Sequence, residues 1–229
     1  MPRWQGVLFD AGGVLVLPDP AVLGPTLAPY GAETNFAAHH RAHYSAMAAK
    51  ARADSGEGDW AAYDEAYVRA LGVPSAELDE ASYVLGRTRH AHLWRAPVPG
   101  AVAALRQLEA LGIPIGVVSN ASGQIESTLQ RAGICQVGPG PFVEMLCIVD
   151  SEIVGIAKPD PRIFGFGLQA IGLAAQDVLY VGDSVTMDVR GAQAAGLHPV
   201  LVDPYGDWPG ADWPCIASLA ELPMLMQLD

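Results

Sequence analysis

The stretch Val7-Leu8-Phe9-Asp10-Ala11-Gly12-Gly13-Val14-Leu15 carries the clearest indication of the fold of this chain. An apolar run over residues 6–9 predicts a buried strand, and Asp10 follows that strand directly. The two glycines permit a tight turn and a close approach of other backbone. In α/β proteins ligands bind at the carboxyl ends of the strands, so the position of Asp10 predicts a functional carboxylate.

Composition and charge limit the classes of function. The chain has 229 residues, of which 51% are hydrophobic and 17% charged, which is enough for a substantial core. Its formal net charge of −12 argues against a nucleic-acid partner, because surfaces that bind nucleic acid are basic. No apolar run approaches the ~18 residues of a transmembrane helix, so we expect no membrane partner. A small anionic ligand is compatible with this charge, since a metal ion and a lysine reverse its sign locally.

Cysteine usage bears on the cellular compartment. Cys135, Cys147 and Cys215 are odd in number and lack a Cys-x-x-Cys spacing. We expect three buried, reduced thiols rather than a disulfide framework or a zinc site, and hence a cytoplasmic protein. The sequence leaves the oligomeric state open between a monomer and a homodimer.

Short apolar runs alternate with helical stretches over much of the chain. The predicted strands cover residues 6–9, 113–118, 145–149, 178–181 and 199–202. The predicted helices between them cover residues 100–111, 124–132, 161–171 and 187–195. This repetition predicts an α/β fold with a Rossmann-like parallel sheet and right-handed crossovers.

Residues 19–96 interrupt the alternation. The segment is rich in alanine and poor in β-branched residues, and helices are predicted over residues 21–30, 34–53, 60–71 and 75–94. Pro18-Asp19-Pro20 and Pro97-Val98-Pro99-Gly100 flank the segment like two linkers. We therefore predict a core of residues 1–18 and 97–229 that carries an inserted α-helical cap of residues 19–96.

Polar clusters follow four of the predicted strands, at the edge where a parallel sheet collects its functional groups. They are Asp10; Ser119 and Asn120; Lys158-Pro159-Asp160-Pro161; and Gly182-Asp183-Ser184 with Asp188. A carboxylate such as Asp10 can attack a phosphoryl group, and the rest of phosphoryl transfer is positioning and charge neutralisation. Asp10 and Asp183 are candidate ligands of Mg²⁺, which prefers carboxylate oxygens. Ser119 is a candidate phosphate ligand, and Lys158 would neutralise the phosphate and keep Asp10 ionised.

These four clusters, in this order, resemble the motifs of the haloacid dehalogenase-like hydrolase superfamily. The resemblance rests on residues 9–15, 118–120, 158–161 and 181–188, and residues 189–196 extend the last motif. The helical insert is similar to the C1-type cap of that superfamily. The resemblance implies a Mg²⁺-dependent phosphomonoesterase that forms an aspartyl-phosphate while it acts on a small phosphorylated metabolite.

The resemblance also implies individual roles. Asp10 would be the nucleophile, and it would share the Mg²⁺ with Asp183 and with the backbone carbonyl of Gly12. Ser119 and Asn120 would bind the phosphate. Further roles fall to the motif lysine, Lys158, and to a supporting acid, Asp188.

Gly12 departs from the pattern. Phosphatases of this superfamily usually carry a second aspartate there, which protonates the leaving group and activates water. Loss of such a group costs about 10²- to 10⁴-fold in rate. Two alternatives therefore stay open: a 2-haloacid dehalogenase, which likewise lacks an acid at this position, and a weakly active or inactive phosphate-binding protein.

The predicted cap helix over residues 34–53 carries further candidates. Arg41 is a candidate substrate-binding residue, and in the dehalogenase alternative it would lie near the halide. His39 and His43 are four residues apart, a spacing that metal-binding histidines use, although solvated helix residues show it as well. One of His39, His40, His43, Arg41 and Tyr44 is expected to face the active site if the cap reads the substrate.

Overall fold

The computed structural model describes residues 4–227, and a six-stranded sheet forms its centre. The strands are β1 (Gly6–Phe9), β2 (Val16–Pro18), β3 (Trp94–Pro97), β4 (Ile115–Ser119), β5 (Cys135–Val137), β6 (Val143–Met145), β7 (Ile148–Asp150), β8 (Val178–Gly182), β9 (His198–Val202) and β10 (Cys215–Ile216). The central sheet has the order β10-β9-β8-β1-β4-β7, and all its strand pairs are parallel. The predicted α/β class is confirmed.

Helices cover the sheet and fill the insertion. The α-helices are α1 (Pro20–Leu27), α2 (Phe36–Arg52), α3 (Ala61–Ala70), α4 (Leu78–Thr88), α5 (Ala101–Ala110), α6 (Ile125–Arg131), α7 (Ser151–Val154), α8 (Arg162–Ile171), α9 (Arg190–Ala194) and α10 (Leu222–Leu225). Short 3₁₀ turns lie at Ala28–Tyr30, Ala91–Leu93, Ala175–Asp177 and Leu219–Glu221, and a π-helical turn at Val185–Val189 leads into α9. Within residues 4–227, no helix combines the length and the apolar character that a bilayer crossing requires.

Strand β1 is buried along its whole length, and its side chains alternate between two apolar layers. Val7 and Phe9 belong to the larger layer, which α5 and α6 help to build, whereas Leu8 points into the opposite layer with Phe164 of α8. Strands of a parallel sheet are covered on both faces and therefore consist of continuous apolar runs. This explains why the run before Asp10 could be recognised as a strand.

Three predicted elements have different bounds in the structure. The strand predicted over residues 145–149 is two strands, β6 and β7, and only β7 joins the central sheet. The helix predicted over residues 75–94 covers only Leu78–Thr88, because Trp94 pairs with Pro18 in an antiparallel ribbon. The helix predicted over residues 187–195 begins as the π-helical turn. Pairing with other strands accounts for the first two of these differences: β6 pairs with β5, β7 with β4, and β3 with β2.

Helices α1 to α4 lie between β2 and β3 in the chain. They surround an apolar cluster of their own, which includes Leu23, Tyr67 and Leu85. The antiparallel pair β2–β3 forms the two crossings between this helical unit and the sheet. The separate cluster supports the predicted division into core 1–18 and 97–229 and cap 19–96, which stays a prediction; residues 1–3 and 228–229 lie outside the described part.

The three cysteines are free. Cys135 is buried and Cys147 is half-buried, but Cys215 is exposed. The expectation of three buried thiols is therefore wrong for Cys215, which begins the short strand β10 at the edge of the sheet.

Candidate active site

Three of the predicted site residues meet at the carboxyl edge of the central sheet. Asp10 follows β1, Ser119 ends β4 and Asp183 follows β8. Because β8, β1 and β4 are adjacent and parallel, their carboxyl ends lie side by side. All three residues line one cavity of about 320 Å³, which Gly12, Asn120, Lys158 and Asp188 also line.

Lys158 ties two carboxylates together. Its Nζ lies 2.9 Å from Oδ1 of Asp10 and 2.6 Å from Oδ1 of Asp188, and it donates to the Tyr180 hydroxyl at 2.9 Å. That hydroxyl in turn donates to the carbonyl of Val118 at 2.8 Å. Burial lowers the pKa of Lys158, but Asp10 and Asp188 outweigh this effect and raise it above its ordinary value. The lysine is therefore a fixed positive charge beside Asp10.

Asp188 holds the strand end that carries Asp183. Its Oδ2 accepts from the backbone amides of Asp183 at 3.1 Å and Ser184 at 2.9 Å, while its Oδ1 is bound to Lys158. The π-helical turn brings this carboxylate under Gly182, where a Cβ would lie only 2.3 Å from Cβ of Asp188. Both oxygens of Asp188 are thus engaged, and this geometry fits a supporting acid.

The acidic cluster fits a divalent cation. Ligand atoms of Asp10, Asp183 and Asp188 lie within 4.8 Å of one another, and the ammonium of Lys158 balances one of the three charges. Burial raises the pKa of Asp10 to about 7, despite Lys158, and raises that of Asp183 well above its ordinary value. Buried carboxylates with raised pKa values lack a countercharge, and a hard oxygen-binding ion supplies one. Asp10 and Asp183 are the two whose oxygens are not both engaged.

Ser119 and Asn120 play unequal parts. Ser119 is buried, yet among residues 4–227 its hydroxyl has no hydrogen-bond partner and can serve a ligand. Asn120 uses its side chain on the backbone of Lys158, accepting from the amide at 2.7 Å and donating to the carbonyl at 3.0 Å. It therefore positions the lysine, a contact that the predicted phosphate-binding role did not include.

Cap helix α2 reaches into the core site. His43 is fully buried, and its Nε2 lies 2.8 Å from Oδ2 of Asp183 while its Nδ1 lies 2.9 Å from the Tyr63 hydroxyl. Burial lowers the pKa of His43 to about 3, so its neutral ring donates to Asp183 and accepts from Tyr63. Tyr44 donates to the carbonyl of Gly13 at 2.8 Å. One of the expected cap residues thus contacts the site.

Two glycines make room for these contacts. Gly13 has a φ of +65°, and a Cβ there would overlap the carboxylate of Asp183 and crowd His43. At Gly12 a Cβ would lie 3.2 Å from Cζ3 of Trp94. The indole of Trp94 therefore crowds the first atom of any side chain at position 12 and would have to shift by a few tenths of an ångström to admit it.

The cap also supplies one wall of the cavity. Met47, Lys50, Glu57, Trp60, Arg89, His90 and Trp94 line it. Lys50 and Arg89 lie over the Trp60 ring at 4.2 and 4.5 Å from its centroid, and Arg89 forms an ion pair with Asp64. This wall combines aromatic surface with charged groups of both signs.

Arg41 does not reach the cavity. It forms a two-pronged ion pair with Asp207, at 2.5 and 3.0 Å, and lies over the ring of Tyr205. The substrate-binding role predicted for Arg41 therefore finds no support, because the Asp207 carboxylate binds its guanidinium. No local sequence pattern around Arg41 predicts its pairing with a residue 166 positions away.

Sequence reasoning missed several residues of the site. Tyr180 was hidden within a strand, although its hydroxyl is the one polar group in that apolar run. Glu57 and Trp60 lie in and beside a loop of the cap, and only the packing of cap on core brings them to the cavity. The spacing of His39 and His43 was one of the signals on α2, but His39 contacts Tyr67 inside the cap instead.

Comparison with known proteins agrees with this geometry. A model of the haloacid dehalogenase-like hydrolase family matches residues 4–196. Phosphoserine phosphatase of Thermus thermophilus is 33% identical over 141 residues, which are 62% of this chain and 53% of that protein. The chain spans about half the length of the curated relatives it matches.

Two solved structures share the fold. A HAD phosphatase from Thermococcus onnurineus superposes with a TM-score of 0.59 at 20% identity, over 96% of this chain and 97% of that one. A 2-haloacid dehalogenase from Pseudomonas syringae pv. Tomato gives 0.57 at 23% identity, over 98% of each chain. At these identities the likeness concerns the fold alone. The family match and the site geometry lead to one conclusion: this chain belongs to the haloacid dehalogenase-like hydrolases.

Proposed function

We propose that the protein is a Mg²⁺-dependent phosphomonoesterase that acts on a small phosphorylated metabolite. The observation that carries the proposal is the contact between Asp10 and Lys158 beside Asp183, within one cavity. A nucleophilic carboxylate, a fixed cation and a second acid for the metal are the groups that phosphoryl transfer needs. The name of the Thermus thermophilus relative, a phosphatase, supports the same activity.

Each residue has a separate task in this proposal. Asp10 attacks the phosphorus, and the phosphoryl group passes to its carboxylate with release of the alcohol. Lys158 neutralises the phosphate oxygens from a position that Asn120 fixes, and the Ser119 hydroxyl binds one of those oxygens. A water molecule then attacks the phosphorus of the aspartyl-phosphate and restores Asp10.

The metal site fits the same scheme. Asp10 and Asp183, with the backbone carbonyl of Gly12, would hold Mg²⁺ at the carboxyl ends of β1 and β8. When bound, the ion supplies positive charge to the phosphoryl oxygens and offsets the crowded carboxylates. Asp188 would keep Asp183 in place through the backbone amides it accepts.

The dehalogenase alternative is less well supported. It assigned Arg41 to the halide, and Arg41 is bound to Asp207 outside the cavity. It also leaves the acidic cluster without a task, since that chemistry needs no metal.

The free cysteines are compatible with the reducing cytoplasm that we propose as the location.

A panel of phosphate esters and 2-haloacids, assayed with Mg²⁺ and with EDTA, tests the proposal. We expect release of inorganic phosphate with Mg²⁺ and its loss with EDTA. Halide release that persists in EDTA would reverse the assignment. Binding of phosphate esters without turnover would instead favour the inactive binding protein.

A further inference from the structure

The proposed reaction needs a proton donor that position 12 cannot provide. An alcohol leaving group must be protonated as the bond from phosphorus to oxygen breaks, and the later attack of water needs a base. Gly12 has no side chain, and Trp94 fills the adjacent space. A different group of this chain must therefore supply the proton, or the reaction must proceed without one.

Few ionisable groups of the described residues face the cavity and are free to do this. The acids that line it are Asp10, Glu57, Asp183 and Asp188. The three aspartates have tasks already, as nucleophile, metal ligand and partner of Lys158. Glu57 is the remaining acid, and it comes from the cap.

The histidines are weaker candidates. Both ring nitrogens of His43 are bound, to Asp183 and Tyr63, and His43 does not line the cavity. His90 does line the cavity, but within residues 4–227 its ring forms no hydrogen bond that would hold it near the phosphate motif. Glu57 has such a bond.

The carboxylate of Glu57 contacts the phosphate motif directly. Its Oε2 accepts from Nδ2 of Asn120 at 3.0 Å, and Asn120 adjoins Ser119. The other oxygen of Glu57 has no partner within the described residues. The carboxyl group is thus anchored at one oxygen and free at the other, beside the predicted phosphate ligands.

The loop that carries Glu57 is clamped. Lys50 is 1% exposed, and its Nζ donates to the carbonyls of Gly56 at 2.6 Å and of Asp59. At the other side of the loop, Asp54 pairs with Arg190 of the core at 2.6 Å. Glu57 is therefore presented by a loop that is held at both sides, on the wall of the cavity that the cap supplies.

We infer that Glu57 is the general acid and base of this enzyme and takes over the task that Gly12 cannot perform. The inference rests on the proposed phosphatase function. In-line displacement places the leaving oxygen on the side of the phosphorus away from Asp10, and Glu57 belongs to the cap wall of the cavity rather than to the sheet edge that carries Asp10. A carboxyl group at that place is well situated for proton transfer.

The two half-reactions balance. As Asp10 bonds to phosphorus and the ester bond breaks, the carboxyl proton of Glu57 passes to the leaving oxygen, giving the free alcohol and a Glu57 carboxylate. As water attacks the aspartyl-phosphate, Glu57 takes a proton from it. The bond between phosphorus and Asp10 breaks, and inorganic phosphate leaves. Asp10 is then a carboxylate again, and Glu57 again carries its proton.

Glu57→Gln tests the inference, because glutamine can still accept from Asn120 but cannot transfer the proton. Rates are measured with Mg²⁺ on phosphate monoesters from p-nitrophenyl phosphate to simple alkyl phosphates. We expect kcat/KM for alkyl esters to fall about 10²- to 10⁴-fold. p-Nitrophenolate leaves without a proton, so kcat/KM for its ester, which reports the steps up to formation of the aspartyl-phosphate, should change far less.

Three further variants sharpen the result. Glu65→Gln removes one charge from the surface of α3, where Glu65 pairs with Arg69 outside the cavity, and should leave both classes of ester unchanged. Glu57→Asp keeps the carboxyl group with a shorter reach and should restore part of the alkyl activity. The effect of His90→Gln on kcat/KM should not depend on the leaving group of the ester.

The outcomes are distinct. An equal loss of kcat/KM on all esters in Glu57→Gln would make Glu57 a positioning residue and overturn the inference, as would an unchanged kcat/KM on alkyl esters. A leaving-group dependence in His90→Gln instead of Glu57→Gln would move the role to His90. If the unaltered protein hydrolyses none of the esters, the proposed function itself fails.

Discussion

The imidazole of His43 lies 2.8 Å from the carboxylate of Asp183, so that a helix of the cap touches the edge of the core site. The contact is fully buried, and the Tyr63 hydroxyl fixes the ring from its other side. Groups that hydrogen-bond to a metal ligand orient it and tune its affinity. In the proposed Mg²⁺ site, this hydrogen bond would therefore link the position of the cap to the affinity of Asp183 for the metal.

Replacement of His43 by phenylalanine should weaken Mg²⁺ binding about 10- to 100-fold, the usual effect of removing a partner of a metal ligand. Phenylalanine fills the buried space but cannot donate to Asp183. Isothermal titration with Mg²⁺ and without substrate measures the effect. His40→Ala, three residues earlier in α2, removes a contact with Tyr205 instead and serves as the control. Equal affinities in His43→Phe and the unaltered protein would contradict the link.

Asp188→Asn should lower the free energy of unfolding by about 3 kcal/mol, because it leaves the buried ammonium of Lys158 short of a charge. Urea denaturation measures the change. Asp160→Asn, in the same segment as Lys158, breaks an exposed ion pair with Arg162 and should cost at most about 1 kcal/mol. Similar losses in the two variants would mean that Asp188 does not support the lysine.

Gly12→Asp alone should not improve catalysis, because the new side chain meets the indole of Trp94. We expect overpacking to cost about 1–3 kcal/mol of stability. In Trp94→Leu the space is open, so the two changes together should cost less than their sum. A double-mutant cycle measured by urea denaturation gives the coupling. Strictly additive effects would show that Trp94 does not close position 12.

The site residues that follow strands could be predicted from the sequence, whereas the surroundings of the cap residues could not. Asp10, Ser119 and Asp183 follow apolar strands, and a parallel sheet necessarily collects such residues at one edge. Arg41 and Glu57 belong to the cap, and their surroundings depend on how two distant units pack. Arg41 pairs with Asp207 and Glu57 meets Asn120, contacts that no local pattern encodes.

Some ends of helices and strands were predicted wrongly for the same reason, because they depend on contacts with distant parts of the chain. The apolar period through residues 75–94 favours a helix over its whole length, yet Trp94 leaves it to pair with Pro18. Trp94 then becomes the side chain that covers Gly12. The misplaced helix end therefore left the contact between Trp94 and Gly12 out of the prediction.

Acid should destabilise the cap through His39. Burial lowers the pKa of His39 to about 4, against 6.5 in the unfolded chain, so folding favours the neutral ring. Its contribution is complete above pH 6.5 and is lost as the pH falls toward 4, by about 3 kcal/mol at most. Unfolding free energies measured between pH 7 and pH 4 should fall more steeply for the unaltered protein than for His39→Gln. Parallel profiles would contradict this assignment.

We propose that Asp10 is phosphorylated during turnover, and acid quenching of the enzyme with a ³²P-labelled phosphate ester and Mg²⁺ is the direct test. We expect label on the peptide that contains Asp10 and none in EDTA or in Asp10→Asn, which keeps the shape of the side chain but is a poor nucleophile. Turnover by Asp10→Asn at the unaltered rate, or label on another residue, would contradict it.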